Sequence, residues 1–367
     1  MRRDLFVFAG QSNMMGAAVF SPRQKLSIKS SYEYKHKSRR LGARVGDFVA
    51  ADYPVGEFSY IDIQKAYAAG IVNEKGESTL EDYVHNTYFC PSMSNLCSKT
   101  DKSVYPFSSF SEATARNGVT LAPFLAQEWE QKGQSCAYAH IAKGGVSMAH
   151  YMNEEMAEEY TRRITEYNQV HGTDYNTELS SRNTTSGAAD YFFKKCKDFF
   201  QDAKQKFSND TLPTKCLFWL QGESDARSSS IEYEIKLDIF WEKLKTLGFT
   251  HFFCIRVDYF GLEGIDNIMR AQENFVSKHA DAYMLTRVAS YFTYIGQNNE
   301  ERFVVPPLEI HKNCRDSFYG YNNNHINEKG FSVIATSAIN NLYRILIEGK
   351  EPLLEKENIR TLLNNNS

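Results

Sequence analysis

Ser12 follows the apolar run Leu5-Phe6-Val7-Phe8 and the pair Ala9-Gly10 almost at the start of the chain. Such a run, stopping at a glycine, predicts a buried strand that ends in a sharp turn. A serine hydroxyl is a weak nucleophile until a base takes its proton, and histidine, with an ordinary pKa of about 6.5, suits that task near neutrality. His325 is the histidine best placed for it, in the polar stretch Tyr319 to Gly330 that precedes a C-terminal helix. Acyl transfer also needs donors for a developing oxyanion. The candidates are the Ser12 amide, an amide at Gly144 or Gly145, and the Gln221 side chain. A serine after a strand also commonly caps a helix, and the partners found downstream favour the nucleophile.

The elements that would bring these residues together read as an α/β alternation. Cysteine-free Ala137 to Ala142 forms a strand that ends in Lys143-Gly144-Gly145-Val146-Ser147-Met148, and Lys215 to Leu220 forms another that ends in Gln221-Gly222-Glu223-Ser224-Asp225. Strands at His251–Val257 and Ala282–Thr286 complete the set. Helices are expected from Pro123, whose fixed φ suits a first turn, at Glu154–Tyr167, Ala188–Phe207, Ile231–Leu247, Ile265–His279 and Glu328–Ile347. In a parallel sheet the carboxyl ends of the strands share one edge, so Ser12, Gly144-Gly145 and Gln221 to Asp225 are expected to meet there. One domain over 1–350 is expected, with insertions at about 20–116 and 154–186 and a tail at 351–367. The first insertion carries the basic run Tyr34 to Arg40 and lacks sustained periodicity.

Composition narrows the function classes. The 367 residues are 42% hydrophobic, enough for a substantial core, and the formal net charge of −3 provides no field to gather nucleic acid or anionic membrane. Aromatic residues make up 14% of the chain, and many fall in polar connecting stretches where they suit a sugar-binding cleft or a loop anchor. Seven cysteines lack C-x-x-C spacing, and several sit in apolar runs as small hydrophobes. With Arg2-Arg3-Asp4 leading straight into the first strand and no apolar run of membrane-spanning length, a cytoplasmic protein is expected. No nucleotide-binding glycine fingerprint is present.

Four blocks, Gly10-Gln11-Ser12-Asn13-Met14, Lys143 to Met148, Trp219 to Asp225 and His325-Ile326-Asn327-Glu328-Lys329-Gly330, stand in the order of the SGNH (GDSL-like) hydrolases. More narrowly they resemble the branch of sialate O-acetylesterases and acetylxylan esterases. The resemblance implies a three-layer α/β/α sandwich with a mostly parallel, flavodoxin-like sheet. It further implies an O-acetylesterase acting on an acetylated sugar or polysaccharide, without metal or organic cofactor. Ser12 would be the nucleophile and His325 the base. The family usually carries an aspartate three residues before the histidine, and here that position is Asn322. An amide there cannot stabilise imidazolium with a full charge, and the corresponding change in a serine protease triad costs about 10⁴ in rate. Glu223 is therefore the first candidate for the supporting acid, with Asp225 and Asp316 as the weaker ones; Asn322 and Gln11 are secondary candidates for the site. A glycan O-acetyltransferase on the same fold and an inactive glycan-binding relative are the alternative readings.

Overall fold

The computed structural model describes residues 1–15, 18–19, 28, 30–34, 48–50, 118–179, 188–257, 262–292, 326 and 328–354. Strand β1 (Asp4–Gly10) is wholly buried, as its apolar run requires. The short helix α1 (Ser12–Met15) follows it directly. Strands β2 (Ala18–Val19), β3 (Tyr32–Tyr34), β4 (Phe48–Ala50) and β5 (Gly118–Val119) come next, then helix α2 (Leu121–Gln131) and strand β6 (Cys136–His140). Helices α3 (Glu154–His171) and α4 (Ala188–Lys206) lead to strand β7 (Lys215–Leu220). Helix α5 (Ser230–Thr246), strand β8 (His251–Ile255), helix α6 (Ile265–Lys278), strand β9 (Ala282–Thr286) and helix α7 (Glu328–Leu346) complete the described chain.

The main sheet has the order β4-β3-β6-β1-β7-β8-β9. All its pairings are parallel except that of β3 with the edge strand β4. The chain thus lays down β3 and β6 on one side of β1 and then β7, β8 and β9 on the other. Such a reversal is where open α/β sheets bind ligands. The six parallel strands and their helices form the expected three-layer sandwich. Alternate residues of β1 feed its two cores. Leu5, Val7 and Ala9 pack with residues of α3, α4, α5 and α6 on one face. Phe6 and Phe8 pack with α2 and α7 on the other.

Several element ends have visible causes. Asn153 Oδ1 accepts from the Met156 amide at the start of α3, and Gly172 closes that helix in the left-handed conformation. Ser229 and Glu232 form a reciprocal capping box at the start of α5, which fixes the exit of the turn after β7. Pro123 is the third residue of α2, which begins two residues earlier than the sequence suggests; its missing N–H is still among those without an intrahelical partner.

The stretch from about 20 to 116, expected as an insertion without sustained periodicity, contributes Tyr32–Tyr34 and Phe48–Ala50 to the main sheet. Ala18–Val19 pairs antiparallel with Gly118–Val119, so the two ends of that stretch lie side by side. Residues 35–40 of the basic run and the tail beyond 354 fall outside the described residues. The helix at Glu154 runs on to His171 and buries Met156, Tyr160 and Ile164 in the core, so this part of the second expected insertion belongs to a layer of the sandwich.

Candidate active site

Register brings the strand ends level. Gly10 pairs with Leu220 in β7, and Phe8 with His140 in β6. Past the ends of the strands the Lys143 amide donates to Gly10 O at 3.1 Å, and the Gln11 amide donates to Leu220 O at 3.1 Å. The turns after β1, β6 and β7 therefore stand at one edge. Gly10 is required there: its φ is +150°, and a Cβ would lie 2.0 Å from Leu220 O. The buried Tyr151 hydroxyl donates to Gly10 O at 2.6 Å and accepts from the Gly10 amide at 3.0 Å. Its ring is held by Trp219 and Phe192, with centroids at 4.8 and 5.2 Å.

Ser12 is half-buried at the first position of α1, and the described residues give its hydroxyl no hydrogen-bond partner. Gly145 is exposed at φ +69°, with nothing within 4 Å of where a Cβ would stand. Gly144 beside it is half-buried. Lys143 and His150 flank this turn. Burial pushes the Lys143 pKa down, and burial together with the Lys143 charge pushes His150 down. His140, at the end of β6, is buried with Nε2 at 2.7 Å from Met14 O.

The turn after β7 divides the remaining candidates. Gln221 is fully buried, and its Nε2 donates to Asp225 Oδ2 at 2.7 Å and Val146 O at 3.1 Å, with Gln11 Oε1 at 3.4 Å. Its Oε1 accepts from the Tyr233 hydroxyl at 2.6 Å. Expected as an oxyanion donor, this side chain has its amide protons committed to joining the three turns. Asp225 Oδ2 also accepts from the Met148 amide at 2.7 Å, tying the turn after β7 to the segment after β6. Burial raises the Asp225 pKa, and the Lys236 charge opposes this. Gln11 Oε1 accepts from the Ser224 amide at 3.1 Å, so Gln11 braces the same junction.

Glu223 differs from Asp225. Its Oε1 accepts from Asn13 Nδ2 at 2.9 Å, whereas its buried Oε2 has no hydrogen-bond partner among the described residues. Burial of the carboxyl raises its pKa to about 7, against the Asn13 hydrogen bond and backbone amides that favour the charged form. Asn13 also reaches elsewhere: its Oδ1 accepts from the Ile326 amide at 3.0 Å. The residue after Ser12 thus touches both Glu223 and the residue after His325. His325, Asn322 and Asp316 themselves lie outside the described residues.

Nothing local to Asn13, Tyr151 or Tyr233 signals their roles, because their partners lie far along the chain or are backbone atoms. The block Gly10 to Met14 contains Asn13, and its immediate adjacency to the serine is the only signal that could have singled it out. Among the described residues no cluster of three or more histidine, cysteine or acidic side chains suited to a metal occurs, and no helix is long and apolar enough to cross a membrane.

The fold and this edge define an open α/β sheet that carries a serine just past the carboxyl end of its central strand. No protein-family model and no curated protein matches the sequence. Solved structures similar to it include NanS, at 11% identity over 95% of this chain and 98% of that one, with a TM-score of 0.47. A carbohydrate acetylesterase from Xanthomonas citri is similar at 11% identity over 95% of this chain and 57% of that one, with a TM-score of 0.38. A protein from Arabidopsis thaliana is similar at 12% identity over 77% and 84% of the two chains, with a TM-score of 0.37.

Proposed function

We propose that this chain is a carbohydrate O-acetylesterase with Ser12 as nucleophile, His325 as general base and Glu223 as the acid that supports the imidazole. One observation carries the reading: Asn13, adjacent to Ser12, bonds Glu223 Oε1 and the amide of Ile326, which is joined to His325 by a peptide bond. The serine, the carboxyl and the position next to the histidine are thereby linked through a single side chain, although 210 and 313 residues separate the partners. The buried Oε2 of Glu223 supports the third role, because it is an acceptor without a donor among the described residues, which an imidazole N–H would satisfy. The acetylated-sugar substrate class rests on the resemblance of the four sequence blocks.

In the reaction, His325 takes the Ser12 proton as Oγ attacks the acetyl carbonyl. The tetrahedral oxyanion is held by backbone amides, those of Ser12 and Gly145 being the candidates; loss of one such donor costs roughly 3 to 4 kcal/mol. Collapse transfers the proton to the departing sugar oxygen and leaves an acetyl-enzyme. Water, activated by the same imidazole, then releases acetate and restores Ser12. The Ser12→Ala variant is expected to fold normally and to lose release of p-nitrophenol from its acetate ester. Unchanged turnover in that variant would overturn the assignment.

A further inference from the structure

We propose that Asn13 is a positioning residue for this reaction, fixing the Glu223 carboxyl with the amino end of its carboxamide and the backbone next to His325 with the carbonyl end. The inference rests on the esterase reading above and adds to it a residue that acts through Glu223 and the backbone at Ile326.

The geometry is specific. Asn13 is 1% exposed, and its side chain makes these two contacts at 2.9 and 3.0 Å. An asparagine presents a donor and an acceptor on one planar group, so turning the amide to satisfy one partner also aims it at the other. Aspartate at this position would keep the acceptor for the Ile326 amide but replace the donor with an oxygen facing Glu223, which opposes ionisation of the pair in the same direction, and alanine would lose both contacts. By occupying Oε1 of Glu223, Asn13 leaves Oε2 as the oxygen available to a further donor. It also favours the ionised carboxyl, together with the amides of Gly222 and Glu223, whereas burial and the charge of Asp225 in the same turn oppose ionisation. His325 is the other titratable group concerned, one residue from the Ile326 anchor. Removing the Asn13 donor therefore makes Glu223 harder to ionise at a given pH.

The test is the pH profile of kcat and KM for p-nitrophenyl acetate in the wild type, Asn13→Asp, Asn13→Ala, Glu223→Gln and the pairing of Asn13→Ala with Glu223→Gln, with a thermal melt for each. Loss of a hydrogen bond to a charged group predicts that kcat falls roughly tenfold or more in both Asn13 variants. KM should change little, and the acid limb should move to higher pH. In the Glu223→Gln background, Asn13→Ala should no longer move that limb, because the carboxyl it acted on is gone. Asn13→Asp keeps the size of the side chain and the Ile326 contact, and carries the test if the alanine variant does not fold. Wild-type turnover combined with an unmoved limb and undiminished kcat in Asn13→Asp overturns the inference while leaving the esterase reading intact. A shift of the same size with glutamine at 223 also overturns it. Absence of turnover in the wild type, with no labelling of Ser12, overturns both.

Discussion

Replacing Glu223 by glutamine should make the protein progressively more stable than the wild type as pH rises, while lowering its activity. A glutamate has an ordinary pKa of 4.5, and in the folded protein burial raises that of Glu223 to about 7. Between those values the folded state holds a proton that the unfolded state has released, so wild-type stability falls as pH climbs through this window. Below about 4.5 both states are protonated, and above about 7 the full difference is present. The separation corresponds to about 3 kcal/mol. Glutamine does not titrate. It also brings a buried amino group in place of Oε2, which adds an offset independent of pH. The informative quantity is therefore the difference in unfolding free energy between variant and wild type at a series of pH values. Urea denaturation from pH 4.5 to 8 should show that difference moving in favour of the variant by roughly 3 kcal/mol. Titrating groups remote from Glu223 contribute equally to both proteins and cancel, whereas Asp225, whose charge acts on Glu223, does not cancel fully. A difference that stays constant across the range would refute the claim that Glu223 is ionised at a cost in the folded protein.

Two further substitutions probe the frame around Ser12. Tyr151→Phe leaves the Gly10 carbonyl and amide without the hydroxyl that now bonds both, and should cost about 1 to 3 kcal/mol by urea denaturation; an unchanged midpoint would refute the clamp. Gly10→Ala places a methyl group 2.0 Å from Leu220 O at a φ that side chains rarely adopt, and should cost about 3 kcal/mol or more, seen as a lowered Tm or loss of soluble protein. Wild-type melting would show that the turn can relax.

Where the chain repeats a strong local pattern, the fold could be read directly. Strands Lys215–Leu220 and Ala282–Thr286 have the bounds that their apolar runs suggest, and α6 and α7 end within a residue of expectation. Tyr32–Tyr34 and Phe48–Ala50 could not be read this way, because three residues are too few for period-two alternation to appear. The site divides along the same line. The order of the motifs and the shared sheet edge follow from local runs and parallel topology. The family resemblance ranks Glu223 before Asp225, but the physical difference between two acids in one turn is not local: Asp225 accepts from Gln221 and Met148, while one oxygen of Glu223 has no partner among the described residues. Asn13 and Tyr151 act through partners 313 and 141 residues away, and no window of sequence contains both ends of such contacts.

The central claim, that Ser12 is an activated nucleophile, is tested most directly by treating the protein with a fluorophosphonate and mapping the modified peptide by mass spectrometry. One covalent adduct on Ser12 is predicted, forming at neutral pH and lost when His325 is replaced by alanine. An unmodified Ser12 in a protein that still hydrolyses acetyl esters would contradict it.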